Sequence, residues 1–116
     1  MNIELNKRIV AARDAKSILA IVEAERGAFN AVNAATACNR LAKTCQGSSN
    51  NPRMDDHRVQ TLFSTIVRVS ADMVGQNVSN TLWALATLGW QAGEGSMRSA
   101  LEAAAVRVAP SVECVC

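Results

Sequence analysis

Apolar residues recur along this chain with a helical period. Residues 15–26 carry Ala15, Ile18, Leu19 and Val22 on one stripe. Residues 33–45 place Ala34, Ala37, Cys38, Leu41, Ala42 and Cys45 at i, i+3, i+4, i+7, i+8 and i+11, the amphipathic helix template in full. Leu62, Phe63, Ile66 and Val67 form the stripe of a helix over 57–72, and Val78, Thr81, Leu82, Leu85 and Ala86 that of one over 77–88. A short leading helix over 3–12, with Ile3, Ile9 and Val10 apolar, and a last helix over 97–109 complete the set. Polar, turn-forming residues punctuate these elements. Asp14 and Asp56 are placed as N-caps, and Gly27 as the glycine after a helix end. Phe29 and Val32 bridge the second and third helices. Gly47 and Pro52 break the 46–55 loop, Gly75 separates two helices, and Gly89, Gly93 and Gly95 loosen the connection to the last one.

The pattern repeats. Asn33 and Asn77, Leu41 and Leu85, and Ala42 and Ala86 stand 44 residues apart, and Ile18, Leu19 and Val22 meet Leu62, Phe63 and Ile66 at the same offset. Val67-Arg68-Val69 returns as Val106-Arg107-Val108 after 39 residues. The chain is therefore expected to be all-α, an alpha-solenoid of tandem antiparallel helical hairpins forming one domain over 1–116. Its parts are a leading helix 3–12, repeat one 15–45, a loop 46–55, repeat two 56–89, half a repeat 97–109 and a tail 110–116. One hairpin cannot bury its apolar face alone, so function in such a stack belongs to a surface built by neighbouring units. Neither end of the stack reads as strongly capped.

Composition narrows the picture. Hydrophobic residues make up 49% of the 116, but aromatics only 3%, so the core is aliphatic and alanine-rich. The net charge of +2, from nine Arg and three Lys against ten acids, does not by itself identify a nucleic-acid binder. Cys38 and Cys45 fall on the apolar face of one helix and read as small buried hydrophobes. Cys114 and Cys116 lie in the tail, and no Cys-x-x-Cys pair exists. A reducing compartment is expected, with no metal and no cofactor. No apolar run approaches the roughly 18 residues of a membrane span, and the N-terminus has no secretory apolar core and no clear transit peptide. His57 beside Asp55 and Asp56 is the one combination with a catalytic look, but no Gly-x-Ser-x-Gly elbow or phosphate-loop Gly-Lys-Ser/Thr accompanies it. A non-enzyme is expected, with no catalytic residues.

The segment Asn80-Thr81-Leu82-Trp83-Ala84-Leu85-Ala86, followed by Thr87-Leu88-Gly89, resembles the second helix of the octotricopeptide repeat, a helical-hairpin family. The copy at residues 33–43 keeps the Ala and Leu positions but has Asn39 where the motif has tryptophan. The 44-residue spacing is longer than the family's unit, and the 46–55 loop takes up the excess. The resemblance implies sequence-selective binding of single-stranded RNA in chloroplasts or mitochondria, in transcript stability, processing or translation, without catalysis. Without it, the reading is an intracellular soluble chain. In such stacks side chains on one helical face read bases and cations hold phosphates. The candidate residues are Asn33, Thr36, Asn39, Arg40 and Lys43 in the first unit, and Asn77, Asn80, Trp83 and Thr87 in the second. Each has a plainer alternative. Asn33 and Asn77 suit helix N-caps; Asn39, Arg40 and Lys43 suit a solvated face; and Trp83 suits a seam between repeats. A groove for a protein partner, self-association through uncapped repeat ends, or a purely structural fragment of a longer array are the competing functions.

Overall fold

The computed structural model describes residues 3–45, 57–88 and 95–108, and all regular structure among them is helical. Six helices follow in order: α1 (Ile3–Ala11), α2 (Ala15–Glu25), α3 (Ala31–Cys45), α4 (His57–Val69), α5 (Gly75–Leu88) and α6 (Gly95–Val108). Short 3-10 turns, Arg26–Ala28 and Ser70–Asp72, follow α2 and α4. The 46–55 loop, Asp56, Gly89, Gly93 and the 110–116 tail lie outside the described residues.

The helices form two rows. α1, α3 and α5 lie side by side, as do α2, α4 and α6, and the α3–α5 pairing is the most extensive of all. Small residues explain that closeness. Ala31, Ala34, Ala35, Ala37, Cys38 and Ala42 line the buried surface of α3, so its backbone can approach its neighbours. α5 lies chiefly against α3 and α6, and less against α4, its partner in the expected hairpin. Leu62, Phe63 and Ile66 of α4 and Leu85 of α5 are all buried in the common core. One buried cluster draws on all six helices, from Leu5 and Ile9 through Ile18, Leu41, Ile66 and Leu85 to Leu101 and Ala104.

The repeat is carried in the backbone. The two 3-10 turns stand 44 residues apart, and so do the starts of α3 and α5. An arginine ties each turn to the helix one unit on. Arg68 Nη2 of α4 donates to the carbonyls of Arg26 (2.6 Å) and Phe29 (3.0 Å). Arg107 Nη2 of α6 donates to the carbonyls of Ser70 (3.1 Å) and Met73 (2.7 Å). These are the same two positions of the turn, one repeat later. The Val-Arg-Val echo in the sequence is the trace of this clamp, in which a cation serves the unpaired carbonyls at a helix end.

Several expected boundaries move. Asp14 caps α2 as expected. Its Oδ1 accepts from Ser17 N at 2.8 Å, and hydrogen bonding by Ser17 holds its carboxyl below the usual carboxylate range. α2 ends at Glu25, and Gly27 sits inside the 3-10 turn rather than in a left-handed cap; a Cβ there would meet no atom within 4 Å. α4 stops at Val69 instead of 72, because the chain tightens into the second 3-10 turn. α3 and α5 begin at 31 and 75, two residues earlier than 33 and 77, so Val32 lies in the first turn of α3 and Gly75 opens α5 instead of separating helices. α6 begins at Gly95, two residues before the expected 97. α1 ends one residue early, at Ala11.

Candidate nucleic-acid interface

Asn33 and Asn77 are not N-caps. Each sits in the third helical position and reaches back. Asn33 Oδ1 accepts from Asn30 N and Asn77 Oδ1 from Val74 N, both at 3.1 Å. Asn30 returns the bond, its Oδ1 accepting from Asn33 N at 2.8 Å, which makes a reciprocal capping box built from two asparagines. Val74 has no side-chain acceptor, so the second unit keeps half of that box. Asn33 is buried, and its Nδ2 also donates to Asn6 Oδ1 of α1 at 3.3 Å. Its amide is committed to the fold.

Arg40 also turns away from the expected face. It lies in the seam between α3 and α1, with Nη2 3.5 Å from the carbonyl of Ala12, and its buried Nε makes no hydrogen bond within the protein. α1 is the reason. It covers the side of α3 that carries Asn33 and Arg40, a side that periodicity alone leaves as surface.

The remaining candidates fall into register. Thr36, Asn39 and Lys43 follow one another along the outward side of α3, half-buried, half-buried and exposed. Asn80, Trp83 and Thr87 occupy the same places on α5, each 44 residues later. Trp83 is 41% exposed, so it does not fill a seam among the described helices. α1 continues the series with Ile3, Lys7 and Val10, all exposed.

Two grooves run between these stripes. One, of about 640 Å³, lies between α3 and the start of α5, lined by Asn30, Thr36, Asp72, Gln76, Asn77 and Asn80 among others. Its volume is that of a small-ligand pocket. The other, of about 490 Å³, lies one helix earlier, where Ile3, Val10 and Val32 make an apolar rim around Asn6, Lys7 and Asn30. The structure thus brings Thr36, Asn77 and Asn80 into one groove and leaves Asn39, Lys43, Trp83 and Thr87 along its continuation. Asn6, Lys7, Asn30 and Gln76 also line these grooves. For Asn30 and Gln76 the signal was the register itself, since they stand three residues before Asn33 and four before Asn80.

A third hollow, of about 580 Å³, lies on the opposite row, lined by residues including Arg26, His57, Gln60, Ser64 and Arg68. His57 Nε2 is 3.3 Å from Glu23 Oε2 across the α2–α4 seam, an exposed contact; Asp55 and Asp56, its sequence neighbours, lie outside the described residues. Cys38 and Cys45 are buried thiols, and burial pushes the Cys38 thiol up to about 12, which leaves it protonated at neutral pH. Burial raises Cys45 as well, against a smaller opposing effect of its hydrogen bond with Thr44. Among the described residues no group of three His, Cys, Asp or Glu could hold a metal ion, and no helix is long and apolar enough to cross a membrane. No family model matches the chain, and no curated protein or solved structure does.

Proposed function

We propose that this chain forms an alpha-solenoid, built from tandem helical hairpins, that binds single-stranded RNA along its α1–α3–α5 row. The observation that carries the reading is the pair of equivalent stripes, Thr36–Asn39–Lys43 and Asn80–Trp83–Thr87, on neighbouring helices 44 residues apart. Repeat proteins that read RNA take about one base per helical unit with two or three side chains. Each stripe offers three, mixing amides and hydroxyls for base edges with a cation or an indole. Trp83 supplies a stacking face and Lys43 a phosphate contact. The resemblance of residues 80–86 to the octotricopeptide repeat points the same way. It extends the proposal to sequence-selective binding in organellar transcript stability, processing or translation. The apolar rim of Ile3, Val10 and Val32 favours a second reading, in which the same row seats a protein partner.

The test is fluorescence-anisotropy titration of the chain with a randomised single-stranded RNA pool at two salt concentrations, beside a matched DNA pool. Affinity for RNA is expected to exceed that for DNA and to fall as salt rises, because phosphate contacts release counterions. Trp83→Ala is expected to cost about 1–3 kcal/mol of binding if a base stacks there. Lys43→Ala should lower the salt slope by about 1. Absence of RNA binding at low salt would overturn the proposal and favour the protein-partner reading.

A further inference from the structure

The two grooves of the α1–α3–α5 row match in position and differ in charge. Val32 and Asn33 line the earlier one, and Gln76 and Asn77, 44 residues on, line the later one. The earlier groove carries Lys7 and no acid. The later groove carries Asp72 and no cation. Asp72 ends the second 3-10 turn, is exposed, and makes no hydrogen bond or ion pair among the described residues. Ala28 holds that place in the first turn. Both turns receive the same arginine clamp, so the fold of the turn does not require a carboxylate.

The surroundings of Asp72 narrow what it can meet. α5 begins three residues later, at Gly75, and the unpaired N–H groups of a helix start attract phosphate. A carboxylate beside them repels it. This groove therefore suits a base better than the sugar–phosphate backbone. Val32 on α3 and Val74 just before α5 both line it and are 50% and 60% exposed, so they offer apolar contact to the faces of a base. At the base edge a carboxylate only accepts, and its two oxygens match a pair of adjacent N–H donors, as they do in a bidentate contact with arginine. Guanine alone among the RNA bases presents such a pair on its Watson–Crick edge, N1–H beside the N2 amino group. Uracil sets one N–H between two carbonyls, which a carboxylate repels. Cytosine and adenine set one amino group beside a ring-nitrogen acceptor.

We propose that the α3–α5 groove selects guanine, with Asp72 accepting from N1–H and from the N2 amino group. The proposal rests on the RNA reading above and adds to it the identity of one base. Single-stranded RNA exposes that edge, because its bases are free to be splayed out of a stack.

Anisotropy titrations on the full chain test this with three single-stranded RNA probes of one length. One is uridine throughout, one alternates guanosine with uridine, and one has inosine, which lacks the N2 amino group, in place of the guanosine. The guanosine probe is expected to bind about tenfold more tightly than the uridine probe, the size of a good bidentate base contact. Inosine should lose most of that gain. Asp72→Ala, which copies the first turn, and Asp72→Asn should each remove the guanosine advantage, with helicity unchanged by circular dichroism. RNA binding without a guanosine preference overturns the proposal and leaves the RNA reading standing. The same holds for a preference that survives both substitutions, and for inosine binding as well as guanosine. An equal rise in affinity for all three probes in both variants also overturns it, because Asp72 would then act only as a repelling charge. No binding of any probe at low salt overturns the RNA reading itself, and this proposal with it.

Discussion

α3 and α5, whose starts stand 44 residues apart, share a backbone register and live in different surroundings. α3 lies between α1 and α5, and α5 has a described neighbour in its own row on one side only. Their sequences follow suit. Where α3 carries Ala34, Ala37 and Cys38, α5 carries Val78, Thr81 and Leu82. Small residues permit close approach on both flanks of the inner helix; on α5, Val78 and Thr81 are still buried, and of the three only Leu82 is exposed. The apolar stripe therefore says that a helix will be buried on some side, and not which of its positions a neighbour will cover. The most damaging test strikes where the two helices do not differ. Leu41 and Leu85 are equivalent, and both are fully buried. Leu85→Asp places an unpaired carboxylate in the shared core, and even truncation of such a leucine costs about 2–5 kcal/mol. Against a total stability of about 5–15 kcal/mol, the variant is expected to lose its helicity and its cooperative melt in circular dichroism. A melt like that of the wild type would mean that Leu85 does not face the core at all.

A smaller effect separates the two seams between repeats. Arg68 and Arg107 make the same pair of carbonyl bonds, one unit apart. Arg68→Ala and Arg107→Ala should each cost about 1–3 kcal/mol in denaturant unfolding, because charged hydrogen bonds to helix-end carbonyls are lost. Comparable losses would make the clamp a property of the repeat. A loss at Arg68 alone would confine it to the seam between the first two units.

Much of this fold was legible in the sequence. All six apolar positions of the α3 stripe are buried, and so are Ile18, Leu19 and Val22 and their partners Leu62, Phe63 and Ile66. Period 3.6 and the 44-residue offset were enough, because each concerns residues on one helix or its copy. α3 and α5 start two residues before Asn33 and Asn77 because each asparagine acts from the third helical position, where local sequence resembles an N-cap. The candidate surface was legible in part. Thr36, Asn39 and Lys43 do share an outward stripe with equivalents on α5. Asn33 and Arg40 do not join it, because α1 covers them, and no local pattern on α3 announces that neighbour. Leu82 and Ala86 fail in the opposite sense, lying on the predicted core stripe yet exposed for want of a described neighbour.

The finest difference between the two helices is a single hydroxyl. Thr81 is fully buried, and its Oγ1 has no hydrogen-bond partner within the protein, whereas Thr61 and Thr65 each donate to a carbonyl one turn back, at 3.0 and 2.8 Å. The first unit has Ala37 in the same place, equally buried and with nothing to satisfy. A buried unpaired hydroxyl costs about 1–3 kcal/mol relative to its hydrated state. Thr81→Val keeps the branched shape and the helix propensity while removing the polar atom, so no cavity opens. It is expected to stabilise the chain by about 1 kcal/mol, read as a rise of a few degrees in Tm. RNA affinity should be unchanged, because the side chain faces the interior and not the Asn80–Trp83–Thr87 stripe. A fall in stability would mean that the hydroxyl has a partner in the folded chain, and the equivalence of Thr81 with Ala37 would then break. Stability gained together with RNA affinity lost would move Thr81 out of the core and into the binding surface, and the line between the two faces of α5 would have to be redrawn.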